Sequence, residues 1–318
     1  MVLHWLKRLA EIVFTLLLVT LVTYFFTSKL PGNEAAVICG PAGVGCLHHE
    51  EALLYLNHPF FARFFHWLGE LLQGNLGRTL APPESISSVL ASSYGITLEL
   101  IVYSQVIAVV VAVPLAMWGA LRANKMFDRV STTLTFASLS LPAFILGPVL
   151  VLIFTVKVAW FPGAAANVPS LWSDPATNLY VMFLPSFTLA IGSIAVYQRL
   201  LRADMIATLE EDFIVMARAK GVSTARILFR HALRPSTFTT MTVAGIQIGS
   251  LIGGAIIVEI VFALHGLGSV LVSAVSAKDL PTVQVVTIIV AVFFILCNLL
   301  VDFLYTVIDP RVRSARRA

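Results

Sequence analysis

Three carboxylates lie in long apolar segments of the sequence, where an ionisable side chain could act on a solute: Glu99, Glu259 and Asp302. A charged group at membrane depth costs free energy and often marks a transport or gating site. Glu99 and Glu259 lie near the ends of their segments, where each could reach water or an entering solute. A gating or substrate-contact role for Glu259 is one hypothesis, and a solvated or hydrogen-bonded carboxylate is the alternative.

Metal ligands and catalytic groups are the other chemistry to consider. The run His48-His49-Glu50-Glu51 contains potential ligands. A zinc or nickel site needs several groups that converge, however, and adjacent histidines in a loop are more often only polar. The apolar segments contain no convincing nucleophile with a base and no paired carboxylates. We predict no metal site, and we predict that the chain is not an enzyme.

The composition places most of the chain in lipid. Of the 318 residues, 58% are apolar and 12% are charged, against about 45–50% and about 25% in soluble domains. Several apolar stretches exceed the roughly 18 residues that a helix needs to cross a bilayer. We predict an all-α polytopic membrane protein, one domain over 1–318, with six transmembrane helices at about 9–28, 97–121, 131–157, 178–198, 236–262 and 284–306.

Lysine and arginine are distributed unequally between the two sides of these helices. Sixteen of the 21 lie on the side of the termini, and five lie on the side of the long segment 29–96. Cytoplasmic flanks carry the excess of positive charge, so we predict that both termini are cytoplasmic. This topology also explains the net charge of +4, and we infer no nucleic-acid partner.

The segment 29–96 is therefore predicted to be a periplasmic or extracellular insertion between the first two helices. Its aromatic run from Phe60 to Leu68 is too short to span a bilayer and indicates an amphipathic helix at the membrane interface. Cys39 and Cys46 lie in the same segment, and the glycines between them permit a tight return. In an oxidising compartment a disulfide is one hypothesis, and two free thiols are the alternative.

The segment 199–235, on the predicted cytoplasmic side, carries strong signals for helix ends. Thr208 and Glu211 have the spacing of a capping box, and Gly221 suits a left-handed residue after a helix. These signals predict a short helix outside the membrane at 209–220. So structured a loop indicates a binding partner, and a solvated turn between spans is the alternative.

One face of the fifth predicted span is rich in glycine. Gly245, Gly249 and Gly253 recur every four residues, which permits close approach of another helix, and the polar Gln247 lies nearby. In one interpretation this face adjoins a translocation path or a partner subunit. In the other it packs inside the same helix bundle.

A resemblance to a known family extends over nearly the whole chain. RLLRADMIATLEEDFIVMARAKGVSTARILFRHALR at 199–234 resembles the cytoplasmic EAA-type loop of ABC importer permeases, in the form found in dipeptide, oligopeptide and nickel systems. VEIVFALHGLGSVLVSAVSAKDLPTVQ at 258–284 and NLLVDFLYTVIDPRVR at 298–313 resemble the last outside loop, sixth span and C-terminus of that family. Shorter similarities are GNLG, TLEL and LPGN, at 74–77, 97–100 and 30–33, the last similar to the first of the two permease subunits.

The resemblance implies the type I ABC importer permease fold in the bacterial plasma (inner) membrane. It also implies that the 209–220 helix couples the permease to a cytoplasmic ATPase subunit. Three residues depart from the family pattern, since His265, Pro235 and Thr239 replace its usual Pro, Asn and Pro. The coupling residues would be Glu211, Asp212, Ala217, Arg218, Ala219, Lys220 and Gly221.

The resemblance further implies partners: a second related permease, two ATPase domains or subunits, and an extracytoplasmic substrate-binding protein. The sequence contains no Gly-rich phosphate-binding loop, so we predict that this chain binds no cofactor and that ATP and Mg²⁺ are used by the partners. Di- and oligopeptides are the expected solutes, with nickel or another small solute as the alternative. A secondary transporter is the competing class, although it would more typically show an inverted repeat.

Overall fold

The computed structural model describes residues 2–29, 39, 57–80, 83–163 and 168–308. Within these residues the regular structure is helical, apart from an isolated bridge between Arg78 and Ser85. The α-helices are α1 Val2–Lys29, α2 Phe60–Leu72, α3 Ile86–Leu121, α4 Met126–Leu139, α5 Ala143–Leu150, α6 Pro175–Leu209, α7 Asp212–Ala219, α8 Thr224–Arg226, α9 Leu233–Val261, α10 Leu267–Ala277 and α11 Leu280–Ile308. The π-helical stretches Val151–Lys157 and Ile227–Ala232 extend α5 and join α8 to α9.

In the described part of the chain, five helical segments are long and apolar enough to cross a membrane, and a bent helix pair can be counted as a sixth span. The prediction of an all-helical membrane protein is confirmed. The helices also run beyond several predicted ends. For example, α3 begins at Ile86 and α6 continues to Leu209, because backbone hydrogen bonding does not stop where the apolar stretch ends.

The predicted third span at 131–157 is not one straight helix. α4 ends at Leu139, α5 begins at Ala143, and the pair α4 and α5, the latter with its π-helical extension, is bent by 110°. Pro142 precedes α5 in an extended conformation, with φ −61° and ψ 144°. Proline has no backbone N–H and disfavours helix at the residue before it, so the chain turns here.

Contacts within the chain define two units. One comprises residues 1–96 and 265–295, and the other comprises residues 97–264 and 296–318. The core of the first unit contains Ile86, Leu90, Leu267, Val285 and Val286.

In the first unit, α2 packs against the last turns of α1. Tyr24 of α1 is only 5% exposed, and its ring centroid lies 5.5 Å from Phe64 and 5.3 Å from Trp67. Aromatic pairs at such distances stabilise packing beyond the area that they bury. On another side of α2, Phe61 is 65% exposed. The helix is confirmed, and its place in the membrane interface stays a prediction.

In the second unit, α6 and α9 pack closely through a glycine. A Cβ atom at Gly254 would lie 2.8 Å from Cδ1 of Leu189. At Gly147 of α5, a Cβ atom would lie 3.0 Å from Cγ1 of Val261. Small residues at such contacts are typical of helix packing in membranes, where they let backbones approach.

Candidate functional site

The short helix α7 confirms that the loop after α6 is structured, but its predicted start is wrong. The sequence predicted a helix at 209–220 capped by Thr208, whereas α7 comprises Asp212–Ala219 with Glu211 as its N-cap residue. Thr208 still belongs to α6, and its hydroxyl donates to the carbonyl oxygen of Asp204 at 2.8 Å. The capping box does not form because α6 continues beyond the predicted span.

The C-terminus of α7 has the predicted left-handed glycine. Gly221 has a φ of +75°. Its N–H donates to the carbonyl of Arg218 at 2.9 Å, and the N–H of Val222 donates to the carbonyl of Ala217 at 3.1 Å. These two bonds form a Schellman motif, which ends the helix. A Cβ atom at Gly221 would meet nothing within 4 Å, so backbone conformation alone opposes substitution.

Most of the surface of α7 is exposed and partly apolar. Ile214 is its one fully buried residue. Phe213, Val215 and Met216 are 46%, 56% and 58% exposed. Exposed aromatic and methionine side chains are typical of protein interfaces. These three residues were not among the predicted coupling residues, although they form an apolar run within a helix predicted to lie outside the membrane.

The residues predicted to couple to the ATPase lie around this apolar surface. A cavity of about 410 Å³ adjoins them, and its walls include Leu121, Leu209, Arg218 and Leu228. Arg218 therefore belongs both to the exposed surface and to the wall of the cavity. Ala217 is half-buried, and the exposed residues are Glu211, Asp212, Arg218, Ala219, Lys220 and Gly221.

Two polar contacts connect the spans near α7. The hydroxyls of Thr208 in α6 and Ser236 in α9 lie 2.9 Å apart. Arg202 of α6 forms a bidentate ion pair with Asp128 of α4, in which Nη2 donates to Oδ2 at 2.6 Å and Nε donates to Oδ1. Asp128 is only 3% exposed, and it also accepts a bond from the backbone N–H of Asn124 at 2.8 Å. These contacts join α4, α6 and α9.

Glu259 is buried and hydrogen-bonded. The sequence placed this carboxylate where it could reach water, but Glu259 is 0% exposed. Its Oε1 accepts a hydrogen bond from the hydroxyl of Thr97, in α3, at 2.6 Å. Of the two forms of the structural alternative, solvated or hydrogen-bonded, the carboxylate has the hydrogen-bonded one. A gating role for Glu259 stays a prediction.

Glu99 also has a buried partner that the sequence analysis missed. Asn178 of α6 is 0% exposed, and its Nδ2 donates to Oε2 of Glu99 and to the carbonyl of Pro169, both at 2.8 Å. Its Oδ1 accepts a bond from the hydroxyl of Tyr103 at 2.9 Å. A polar amide in an apolar span was the signal that could have identified Asn178.

The glycine-rich face of α9 divides into two parts. Gly245 and Gly249 are buried in the chain, whereas Gly253 is exposed and a Cβ atom there would meet nothing within 4 Å. Gln247 is half-buried. The close contact with α6 is made instead by Gly254, which the four-residue spacing did not indicate. Lining of a path by this face stays a prediction.

Two side-chain amides, of the half-buried Gln105 and the buried Gln198, add polar groups between α3, α4 and α6. Gln105 accepts a bond from the hydroxyl of Tyr197 at 2.8 Å, and Gln198 accepts one from the hydroxyl of Thr135 at 3.3 Å. The Nε2 atoms of both glutamines have no hydrogen-bond partner among the residues described above. A buried donor without a partner costs free energy, particularly in a membrane-spanning segment.

Some of the predicted site residues lie outside the described residues, or in a helix whose side chains are not described. Cys39 is buried, but Cys46 lies outside them, so the disulfide stays a prediction. The run 48–51 also lies outside them. Asp302 lies in α11, in a part of the helix where side chains are not described.

Comparison with known proteins identifies the family. The description "Binding-protein-dependent transport system inner membrane component" matches residues 112–314. A description of the N-terminal membrane component of the same systems matches residues 1–107.

Curated relatives match over almost their whole length. The glutathione transport system permease protein GsiC of Escherichia coli strain K12 is 35% identical over 308 residues, which are 96% of this chain and 97% of the relative. GsiC of Salmonella choleraesuis strain SC-B67 is 36% identical over 311 residues, 97% of this chain and 98% of the relative.

A solved structure supports the fold. The crystal structure of an amino acid ABC transporter with histidines matches with a TM-score of 0.51 and 16% identity, over 69% of this chain and 94% of that chain. The resemblance drawn from the sequence motifs is confirmed. The chain belongs to the family of inner membrane components of binding-protein-dependent transport systems, and it is a multi-span permease of an ABC importer in the bacterial inner membrane.

Proposed function

We propose that this permease forms half of a path for small peptides, with a second related permease as the other half. Identity of 35% to a permease of glutathione transport systems, over nearly the whole chain, supports a peptide-type solute. Glutathione is itself a small peptide-like molecule. A substrate-binding protein delivers the solute from outside, and its selectivity sets which peptides are carried.

Energy for transport comes from ATP hydrolysed by separate subunits, which also bind the Mg²⁺. This chain binds no cofactor and contributes membrane-spanning helices that move when ATP is hydrolysed. The observation that supports separate transport and ATPase subunits is the structure of α7, in which Phe213 and Met216 are exposed while Ile214 is buried. We propose that this apolar surface, with Arg218 beside it, docks on an ATPase subunit.

Movement of α7 is transmitted to the membrane-spanning helices because the connection between α7 and α6 is short. Only Glu210 and Glu211 separate α6 from α7, so a displacement of α7 pulls directly on the end of α6. The ion pair of Arg202 with Asp128 then passes the movement from α6 to α4. Gln198 lies in α6 and Gln105 lies in α3, and movement of these helices turns their amide groups, unpaired among the described residues, into hydrogen-bond donors for a peptide in the path.

The test of the solute is uptake by the complete importer in proteoliposomes, with its own binding protein. Labelled dipeptide, glutathione and Ni²⁺ are compared at equal concentration, with and without ATP. We expect ATP-dependent uptake of a peptide and none of Ni²⁺. Uptake of Ni²⁺ alone would contradict the peptide assignment, and uptake that is independent of ATP would contradict the importer mechanism.

A further inference from the structure

We propose that a groove between α1 and α2 binds an acyl chain of an anionic phospholipid. The groove has a volume of about 260 Å³. Four residues of α1 and two of α2 line this α1–α2 groove, and its described walls are entirely apolar: Leu21, Val22, Phe25, Phe26, Phe60 and Phe61.

The groove faces outward from a membrane-spanning helix. Phe26 and Phe61, from its two sides, are 66% and 65% exposed, and Val22 is 43% exposed. An empty groove in hydrocarbon would lose dispersion contacts along both walls. Water is a poor occupant because it needs polar partners, and these walls offer none. A hydrocarbon chain matches both the shape and the chemistry of the walls.

A cation beside the groove indicates which molecule carries that chain. Lys29 is the last residue of α1, and its Nζ lies 5.7 Å from the ring centroid of Phe25. At a rise of about 1.5 Å per residue, Lys29 lies roughly 4.5 Å beyond Phe26 along the helix. The ammonium group is therefore beside the end of the groove, where a lipid phosphate would lie with its chain in the groove.

Charge, rather than burial, distinguishes this lipid from its neighbours. Acyl chains elsewhere in the bilayer are as apolar as the groove, so the chain alone gives little preference. A lysine near the membrane surface favours anionic lipid by about fivefold over neutral lipid. The site therefore selects an anionic headgroup, while the groove fixes its position.

The test uses the complete importer in nanodiscs that contain equal amounts of phosphatidylglycerol and phosphatidylcholine. In parallel samples, one of the two lipids carries a photoactivatable diazirine in its acyl chain. After irradiation, labelled peptides are mapped by mass spectrometry. We expect label on residues 21–26 and 60–61, about fivefold more from phosphatidylglycerol than from phosphatidylcholine.

Three substitutions separate the groove from the charge. Val22→Trp fills the groove and should remove labelling by both probes. Phe14 lies on the same helix, outside the groove, and is 66% exposed, so Phe14→Trp should be labelled as strongly as the native protein. Lys29→Gln should still be labelled, but equally by phosphatidylglycerol and phosphatidylcholine.

Arg78→Gln is the matched control for charge, since Arg78 is exposed in the same unit. This variant should be labelled as strongly as the native protein, with the same preference for phosphatidylglycerol. Equal labelling by the two probes in the native complex would overturn the proposal. Unchanged labelling after Val22→Trp, or no label on residues 21–26 and 60–61 of the native complex, would also overturn it.

Discussion

At the scale of single residues, Gly221 fixes the end of α7. Its φ of +75° costs other L-residues about 1–2 kcal/mol, while asparagine tolerates this conformation better. We predict that Gly221→Val assembles but hydrolyses ATP without transport, whereas Gly221→Asn keeps most of its uptake.

Uptake and ATPase rates of the reconstituted importer measure the effect. Both variants add a Cβ atom, and a Cβ atom at Gly221 meets nothing within 4 Å, so a clash of that atom does not distinguish them. A normal uptake rate for Gly221→Val would count against the coupling role of α7.

Glu259 provides a second prediction at this scale. Its bond with Thr97 joins α3 to α9. Glu259→Gln keeps an acceptor for Thr97 but removes the carboxylate, which weakens the bond by about 1 kcal/mol. We predict intact assembly and about a fivefold change in solute-free ATPase activity and in uptake.

Thr97→Val, which removes the donor, is the companion variant and should shift the same rates in the same direction. Unchanged uptake and ATPase coupling in Glu259→Gln would remove the gating hypothesis. The carboxylate would then be a structural group only.

At the scale of helices, adjacent glycines of α9 have different roles. Gly254 lies against Leu189 of α6, whereas Gly253 is exposed. We predict that Gly254→Val lowers the stability of the permease by about 1–3 kcal/mol because it overpacks this contact. Gly253→Val should leave the stability of the isolated permease nearly unchanged.

Thermal unfolding of the purified permease in detergent compares the two variants directly. Equal destabilisation of the two variants would show that the close contact of α9 with α6 does not cause the loss of stability in Gly254→Val. If Gly253→Val instead impairs assembly or uptake, the exposed part of this face meets the second permease or the path.

The sequence predicted the positions of the apolar helices better than their bends and ends, for physical reasons. Hydropathy locates apolar helices well because it depends on local composition. The 110° bend between α4 and α5 was not predicted, although Pro142 was visible, because proline disfavours helix without fixing the new direction. The start of α7 was misplaced because Thr208 suits both a cap and the interior of α6.

At the scale of the whole molecule, the long-range contacts could not be predicted from one sequence. Thr97 and Glu259 are 162 residues apart in the chain, and Asp128 and Arg202 are 74 apart. No local pattern connects such positions. The EAA-type loop was recognised because its residues are contiguous, so the family could be identified while the burial of Glu259 could not.

Coupling of this permease to ATPase subunits through α7 can be tested by purification of the permease from native membranes. Mass spectrometry then identifies the proteins that accompany it. Phe213→Asp is compared with Trp172→Asp, a substitution at a residue that is 94% exposed and lies between α5 and α6.

We predict that the native chain and the Trp172→Asp variant recover a second permease and ATPase subunits. The Phe213→Asp variant should recover the second permease but lose the ATPase subunits. A chain that purifies alone and moves solute without ATP would show that the protein is not an ABC importer permease. Full retention of the ATPase subunits by Phe213→Asp would show that α7 does not bind them.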